Sequence, residues 1–192
     1  MNVEKMRMGC EGKPAPVPLL AVQSFANTLD VEDSVDQLES AESFAAWLRD
    51  VELAGRRIEI NPSDLTGARR LRGAVRALLT ANATGEGDRE AAALLARLAE
   101  RHRVALTADP DGTLRPDLSR VTRAEQLLPQ LLAVIFQAQA TGTWKRLKLC
   151  QNPECLWAFY DSSKNRSGSW CRSGLCGNRL KNRAYRERHR SD

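Results

Sequence analysis

Four cysteines are crowded into the last quarter of this 192-residue chain. Cys150 and Cys155 form one C-x4-C pair, and Cys171 and Cys176 form a second. Two short-spaced cysteine pairs separated by a linker of this length are what a tetrahedral Zn²⁺ site requires. A centre closed by four thiolates has no open coordination position, so the predicted role of one such zinc is structural and not catalytic. Four reduced core cysteines are the plain alternative, and they fit poorly with such density in a polar segment. An iron–sulfur cluster is the lesser metal alternative. The signatures of zinc deaminases, H-x-E with P-C-x-x-C, are absent, and His102 and His189 read as a helix-end and a tail residue. The fifth cysteine, Cys10, lies in a polar, Pro-rich lead-in and is expected to be a free exposed thiol.

The compartment supports the metal. No apolar run approaches the roughly 20 residues of a membrane span, and the start of the chain lacks the apolar core of a signal peptide. A cytoplasmic protein is expected, and there clustered cysteines are ligands more often than disulfides.

Charge is distributed unevenly. Met1 to Leu149 holds 20 basic and 20 acidic residues, whereas Cys150 to Asp192 holds nine basic and four acidic ones. The formal +5 therefore belongs to the cysteine segment. Four thiolates on one Zn²⁺ subtract two charges and leave about +3. After Cys176, Arg179, Arg183, Arg186 and Arg190 fall at i, i+4, i+7 and i+11, which is one face of a helix. Lys181, Tyr185 and Arg188 form a neighbouring stripe, and Asn178 and Asn182 sit at i and i+4, where they could read a base edge. Such a helix is either a solvated face or a ligand for a polyanion. Its place on a zinc module favours nucleic acid, and its diameter suits the major groove of double-stranded DNA. An acidic protein or RNA is the alternative partner.

The remaining elements must position this module. Residues 1–17 read as a flexible leader. Residues 18–142 read as a helical bundle with one small hairpin. Helices are predicted over 19–29, over 41–53 after the cap Ser40, from Asn61-Pro62-Ser63-Asp64 to about Ala81, and from Asp88 to about Arg101. A hairpin is predicted around Asp111-Gly112, and Thr122 with Glu125 fits a capping box for a last helix to about Ala140, interrupted by Pro129. The second predicted helix buries Phe44, Trp47, Leu48 and Val51. The third buries Leu65, Leu71, Val75, Leu78 and Leu79. In residues 143–192, Leu156 to Tyr160 suits a strand, Trp170 and Cys171 a return strand, and Cys176 the first turn of a final helix. That order is treble-clef-like. The fold class is thus mainly α with a small C-terminal zinc finger.

No nucleophile–base pair, Gly-rich phosphate loop or carboxylate cluster stands out, so an enzyme is not expected. Phe25, Asn27, Thr28 and Trp47 could line a pocket for a small-molecule effector, although such residues serve more often as core and capping positions.

Around the cysteines the sequence resembles the CGNR zinc-finger family. The matching residues are Cys150, Cys155, Phe159, Asp161, Ser163, Trp170-Cys171 and Cys176-Gly177-Asn178-Arg179 with Lys181 and Arg183. Residues 18–140 are similar to the ABATE domain, through Phe25-Ala26-Asn27-Thr28-Leu29, the Trp47 helix and the helix from Arg69 to Leu79. The resemblance implies a bacterial, stress-linked transcription regulator whose finger binds DNA and whose helical domain senses a signal or forms a homodimer. Such fingers often carry two arginines before the Trp-Cys pair, where this chain has Ser167-Gly168-Ser169, and a methionine two residues after the third cysteine, where it has Ser173.

Overall fold

A computed structural model describes residues 1–10, 12–54, 58–101, 104–118 and 124–188. The predicted cap at Thr122 and the residues His102, His189 and Arg190 lie outside them. The helices are α1 (Val3–Met8), α2 (Leu19–Ala26), α3 (Ala41–Asp50), α4 (Pro62–Thr84), α5 (Arg89–Arg101), α6 (Ala124–Ala140) and α7 (Asn178–Arg188). Three two-stranded antiparallel hairpins accompany them: β1 (Leu29–Asp30) with β2 (Val35–Asp36), β3 (Leu106–Ala108) with β4 (Leu114–Pro116), and β5 (Leu147–Leu149) with β6 (Ala158–Tyr160).

Local chemistry starts the helices where the sequence indicated. Ser40 and Ser43 form a capping box for α3, and Asn61 and Asp64 form one for α4 with Pro62 in its first turn. Asp88 accepts the Ala91 N–H at 2.8 Å at the start of α5. The apolar stripe of α3 is buried as predicted, with Phe44 and Leu48 wholly enclosed. On α4, Leu71, Val75 and Leu79 are buried, while Leu65 and Leu78 are only partly so.

α4 is the axle of the molecule. It packs on α2, α3, α5 and α6, and also on β5. Its arginines were not legible as interior residues, yet Arg72 and Arg76 are both buried. Arg72 makes a forked pair with the Asp36 carboxylate at 2.5 and 2.8 Å. Arg76 donates to the carbonyls of Ala26, Leu29 and Leu156. The rigid guanidinium fork can satisfy several backbone acceptors at once, which makes burial of these charges tolerable.

Residues before α2 pack on the helical domain: α1 is capped by Asn2, and Met6, Cys10 and Ala15 are buried. The reason is that Gln23 on α2 holds the passing backbone. Its Oε1 accepts the Ala15 N–H at 2.6 Å and its amide donates to the Lys13 carbonyl at 3.1 Å. Cys10 is accordingly no exposed thiol. Burial pushes its pKa up to about 12, against a weak contact from the Asn27 amide. The helical part also holds a second hairpin, β1–β2, too short for any strand pattern to reveal.

The finger shares the helical core. Leu147, Leu149 and Ala158 belong to one buried cluster with Leu20, Phe25, Leu71 and Leu131. Polar contacts cross the same seam. The Asn27 amide donates to the Ala158 carbonyl at 3.0 Å and its Oδ1 accepts the Ala158 N–H at 2.7 Å. Gln23 donates to the same carbonyl at 3.0 Å, and Asn82 on α4 donates to the carbonyls of Trp144 and Leu147. Asn27→Ala leaves the buried Ala158 N–H without its acceptor and removes one of the two donors to the Ala158 carbonyl. It should lower the unfolding free energy by about 2–4 kcal/mol, measured by urea unfolding of the zinc-loaded protein.

Candidate metal centre and basic helix

The finger is assembled from the Cys150–Cys155 turn and the Cys171–Cys176 turn. β5 leads directly into Cys150, and β6 follows Cys155. The Cys150 N–H donates to the Trp157 carbonyl at 2.9 Å and the Cys155 N–H to the Asn152 carbonyl at 2.9 Å, which closes the first turn. Leu156 takes a left-handed backbone, φ 51. That costs roughly 1–2 kcal/mol for a residue other than glycine. The turn leaves the Trp157 N–H on the Cys155 sulfur and the Leu156 carbonyl on Arg76 at 3.1 Å. Of the second pair, Cys176 lies in a single wide helical turn, Ser173–Gly177, that runs straight into α7, and Cys171 lies two residues before that turn.

All four sulfurs lie within 4.8 Å of one another, and all four residues are buried. Cys155 to Cys171 and Cys171 to Cys176 are each 3.6 Å apart. A tetrahedron with Zn–S bonds of about 2.3 Å has edges of about 3.8 Å. The sulfurs are too far apart for disulfides, which need about 2.05 Å, and the cysteines are free. The cluster also demands a cation. Contacts from Cys155 and Cys171 pull the Cys150 thiol pKa down, while the same proximity pushes Cys155 and Cys171 up, so one thiolate forms readily and further ones are resisted. A dication removes that conflict. Cys150, Cys155, Cys171 and Cys176 therefore hold one structural zinc, whose chemistry is to cross-link two turns and leave no position for substrate.

A second device braces the loop between β6 and Trp170. Lys148 and Asp161 form a buried ion pair at 2.9 Å, with side chains 6% and 2% exposed. Lys148 Nζ also donates to the carbonyls of Arg166 and Gly168, and Asp161 accepts the N–H groups of Ser163 and Gly168 at 3.0 and 2.7 Å. Burial works to raise the Asp161 pKa. The donors from Ser163, Lys148 and Gly168 outweigh it and hold the carboxyl well below the usual range. This network corrects the predicted return strand: β6 pairs with β5, Leu149 opposite Ala158, because the loop is drawn back onto Lys148 and Asp161. Trp170 and Cys171 come back without strand pairing, through a Gln151 N–H to Ser169 carbonyl bond of 3.0 Å. A Cβ on Gly168 would lie 2.8 Å from the Asp161 carboxylate, so this position is closed to a side chain.

The Cys-Gly-Asn-Arg run is occupied structurally. Gly177 abuts the Trp170 ring, where a Cβ would approach to 3.1 Å. The Asn178 amide donates to the Gly174 carbonyl at 2.9 Å. Arg179 pairs with Glu32, in the β1–β2 turn, at 2.5 Å. This exposed pair spans the seam and adds little stability. Lys181, Asn182 and Arg186 are exposed on α7, and Arg183 lies on the same helix. The four residues considered for an effector pocket are not brought together as one. Phe25 is in the core, and the Thr28 hydroxyl donates to the Phe25 carbonyl at 2.7 Å. Asn27 and Trp47 line a cleft of about 230 Å³ with Ser24 and Trp157.

Fold and site together define a zinc-finger protein whose finger is seated on a helical domain. The chain belongs to the ABATE family, described as "Putative stress-induced transcription regulator", which matches residues 21–141. Residues 146–189 match the CGNR zinc finger. No curated protein matches the chain. Neither family description is that of an enzyme, and among the described residues no helix is long and apolar enough to cross a membrane.

Two measurements test the centre. In the zinc-loaded protein no thiol should react with an aromatic disulfide reagent; chelation should expose the four ligands while Cys10 stays protected until denaturant is added. Cys171→Ser should unfold the finger. Asp161→Asn leaves Lys148 buried without a counter-charge and should cost about 3–5 kcal/mol at pH 7. The depressed folded pKa places that contribution fully above the unfolded value of about 3.9, and it is lost only as pH falls through the folded value. Chemical unfolding of the two zinc-loaded proteins compares them.

Proposed function

We propose that this regulator binds duplex DNA through α7, with the zinc centre fixing the helix and the helical domain carrying the signal. The observation that carries this reading is the confinement of the net positive charge to the finger, with Lys181, Asn182 and Arg186 exposed on its last helix. Arg179 can join them, since its partner Glu32 is itself exposed and the pair is readily exchanged for a phosphate. Asn178 serves the helix start more than a base edge. Most of the affinity then comes from phosphate neutralisation. The cleft beside Asn27 and Trp47 is where a small effector would reach the finger, because Trp157 forms one wall. The protein acts in the cytoplasm in this reading.

With about five phosphate contacts, log K against log salt should slope near −4 to −5. Lys181→Ala with Arg186→Ala should flatten the slope by about 2 and weaken binding without changing zinc content. Gel shift and fluorescence titration on random duplex DNA measure both, with and without a chelator. Salt-independent affinity, or equal binding by the zinc-free protein, would falsify the model. Preference for single-stranded RNA, or no nucleic-acid binding at all, would turn the basic helix toward RNA or an acidic protein.

A further inference from the structure

Away from the finger, the β3–β4 hairpin and α6 enclose an open groove of about 540 Å³. Among the described residues, no charged side chain lines it. Of the large apolar side chains that the described residues leave exposed, half converge here: Val104, Leu106, Leu114 and Phe136. Phe136 is 73% exposed and Leu114 61%. Together the four present roughly 400 Å² of apolar surface, within the range of the largest patch on a typical monomer, where such patches are often functional.

The shape decides between occupants. A small-molecule site encloses most of its ligand. Here Phe136 stands out from α6 as a knob, beside a groove of matching character. Knob and groove on one surface are self-complementary, which is what a two-fold contact between identical chains needs. The area agrees: a stable interface takes about 800 Å² from each partner, so a patch of this size supplies the apolar centre and leaves the remainder to a polar rim.

We propose that this groove is the homodimer interface, with Phe136 of each copy seated against α6 and the β3–β4 hairpin of the other. α6 is followed within a few residues by β5, so a two-fold axis at α6 would fix the relative placement of two fingers. The proposal does not require DNA binding, and it is tested without DNA. Sedimentation equilibrium of the zinc-loaded full chain should show a monomer–dimer equilibrium. Phe136→Glu should raise the dissociation constant roughly 100-fold or more, because a central contact is lost twice across the axis; Phe136→Leu should keep most of the dimer. Circular dichroism and zinc content should be unchanged in both. Should Phe136→Glu misfold, Leu114→Lys gives the same readout from the opposite wall, and Phe136→Cys should cross-link two chains under mild oxidation. A wild-type chain that stays monomeric at 100 micromolar (~0.1 mM, where even a weak biological dimer is populated) overturns the proposal. So does a dimer indifferent to both charge substitutions, and so does a monomer whose groove takes up an apolar dye instead.

Discussion

Four thiolates packed within van der Waals reach of each other repel unless a dication sits between them, and the rest of this molecule is built on that neutralisation. The zinc does more than fold a small finger. It fixes the turn after Cys155, and that turn sets the course of β6. β6 presents the Ala158 peptide to Asn27 and Gln23, and the Leu156 carbonyl to Arg76. Without the metal, Asn27 loses both of its bonds to Ala158, Gln23 loses one of its three partners and Arg76 one of its three carbonyls, and buried polar groups left short of partners cost stability. Metal occupancy is therefore coupled to the stability of the helical domain as well as the finger.

The sequence made the metal site legible because ligand chemistry dictates residue type and spacing with little freedom. It revealed the helices of the bundle for a related reason: Ser40, Asn61 and Asp88 are local signals whose partners lie three residues away. What stayed hidden were interactions between residues far apart in the chain. Nothing in the sequence around Lys148 shows that it reaches Asp161 in the interior. Arg72 and Arg76 are not among the residues that the apolar pattern of their helix marks as buried. Asn27 could be singled out as unusual, yet its use as a clamp on a strand 131 residues later depends on tertiary placement. The burial of Cys10 is hidden for the same reason, since a short polar stretch says nothing of what will close over it.

The β strands of the finger illustrate a further limit. Aromatic and apolar character located β6, but pairing is a choice among neighbours. The loop after Tyr160 is spent on wrapping the Lys148–Asp161 pair, and Trp170 returns without joining a ladder. β5, which reads as a plain connector, takes that place.

The seam at Ala158 also sets where this chain can be cut. The junction near residues 142–146 looks like a natural breakpoint, with a glycine and a short linking turn. Yet the surface that receives the finger is contributed by α2 and α4, long before that point. A finger transplanted from a relative would inherit its zinc and its basic helix but not the Gln23, Asn27 and Arg76 that hold β6. Recombination between such proteins should succeed only when these positions travel with the strand they serve, so the two halves must be inherited as a matched set.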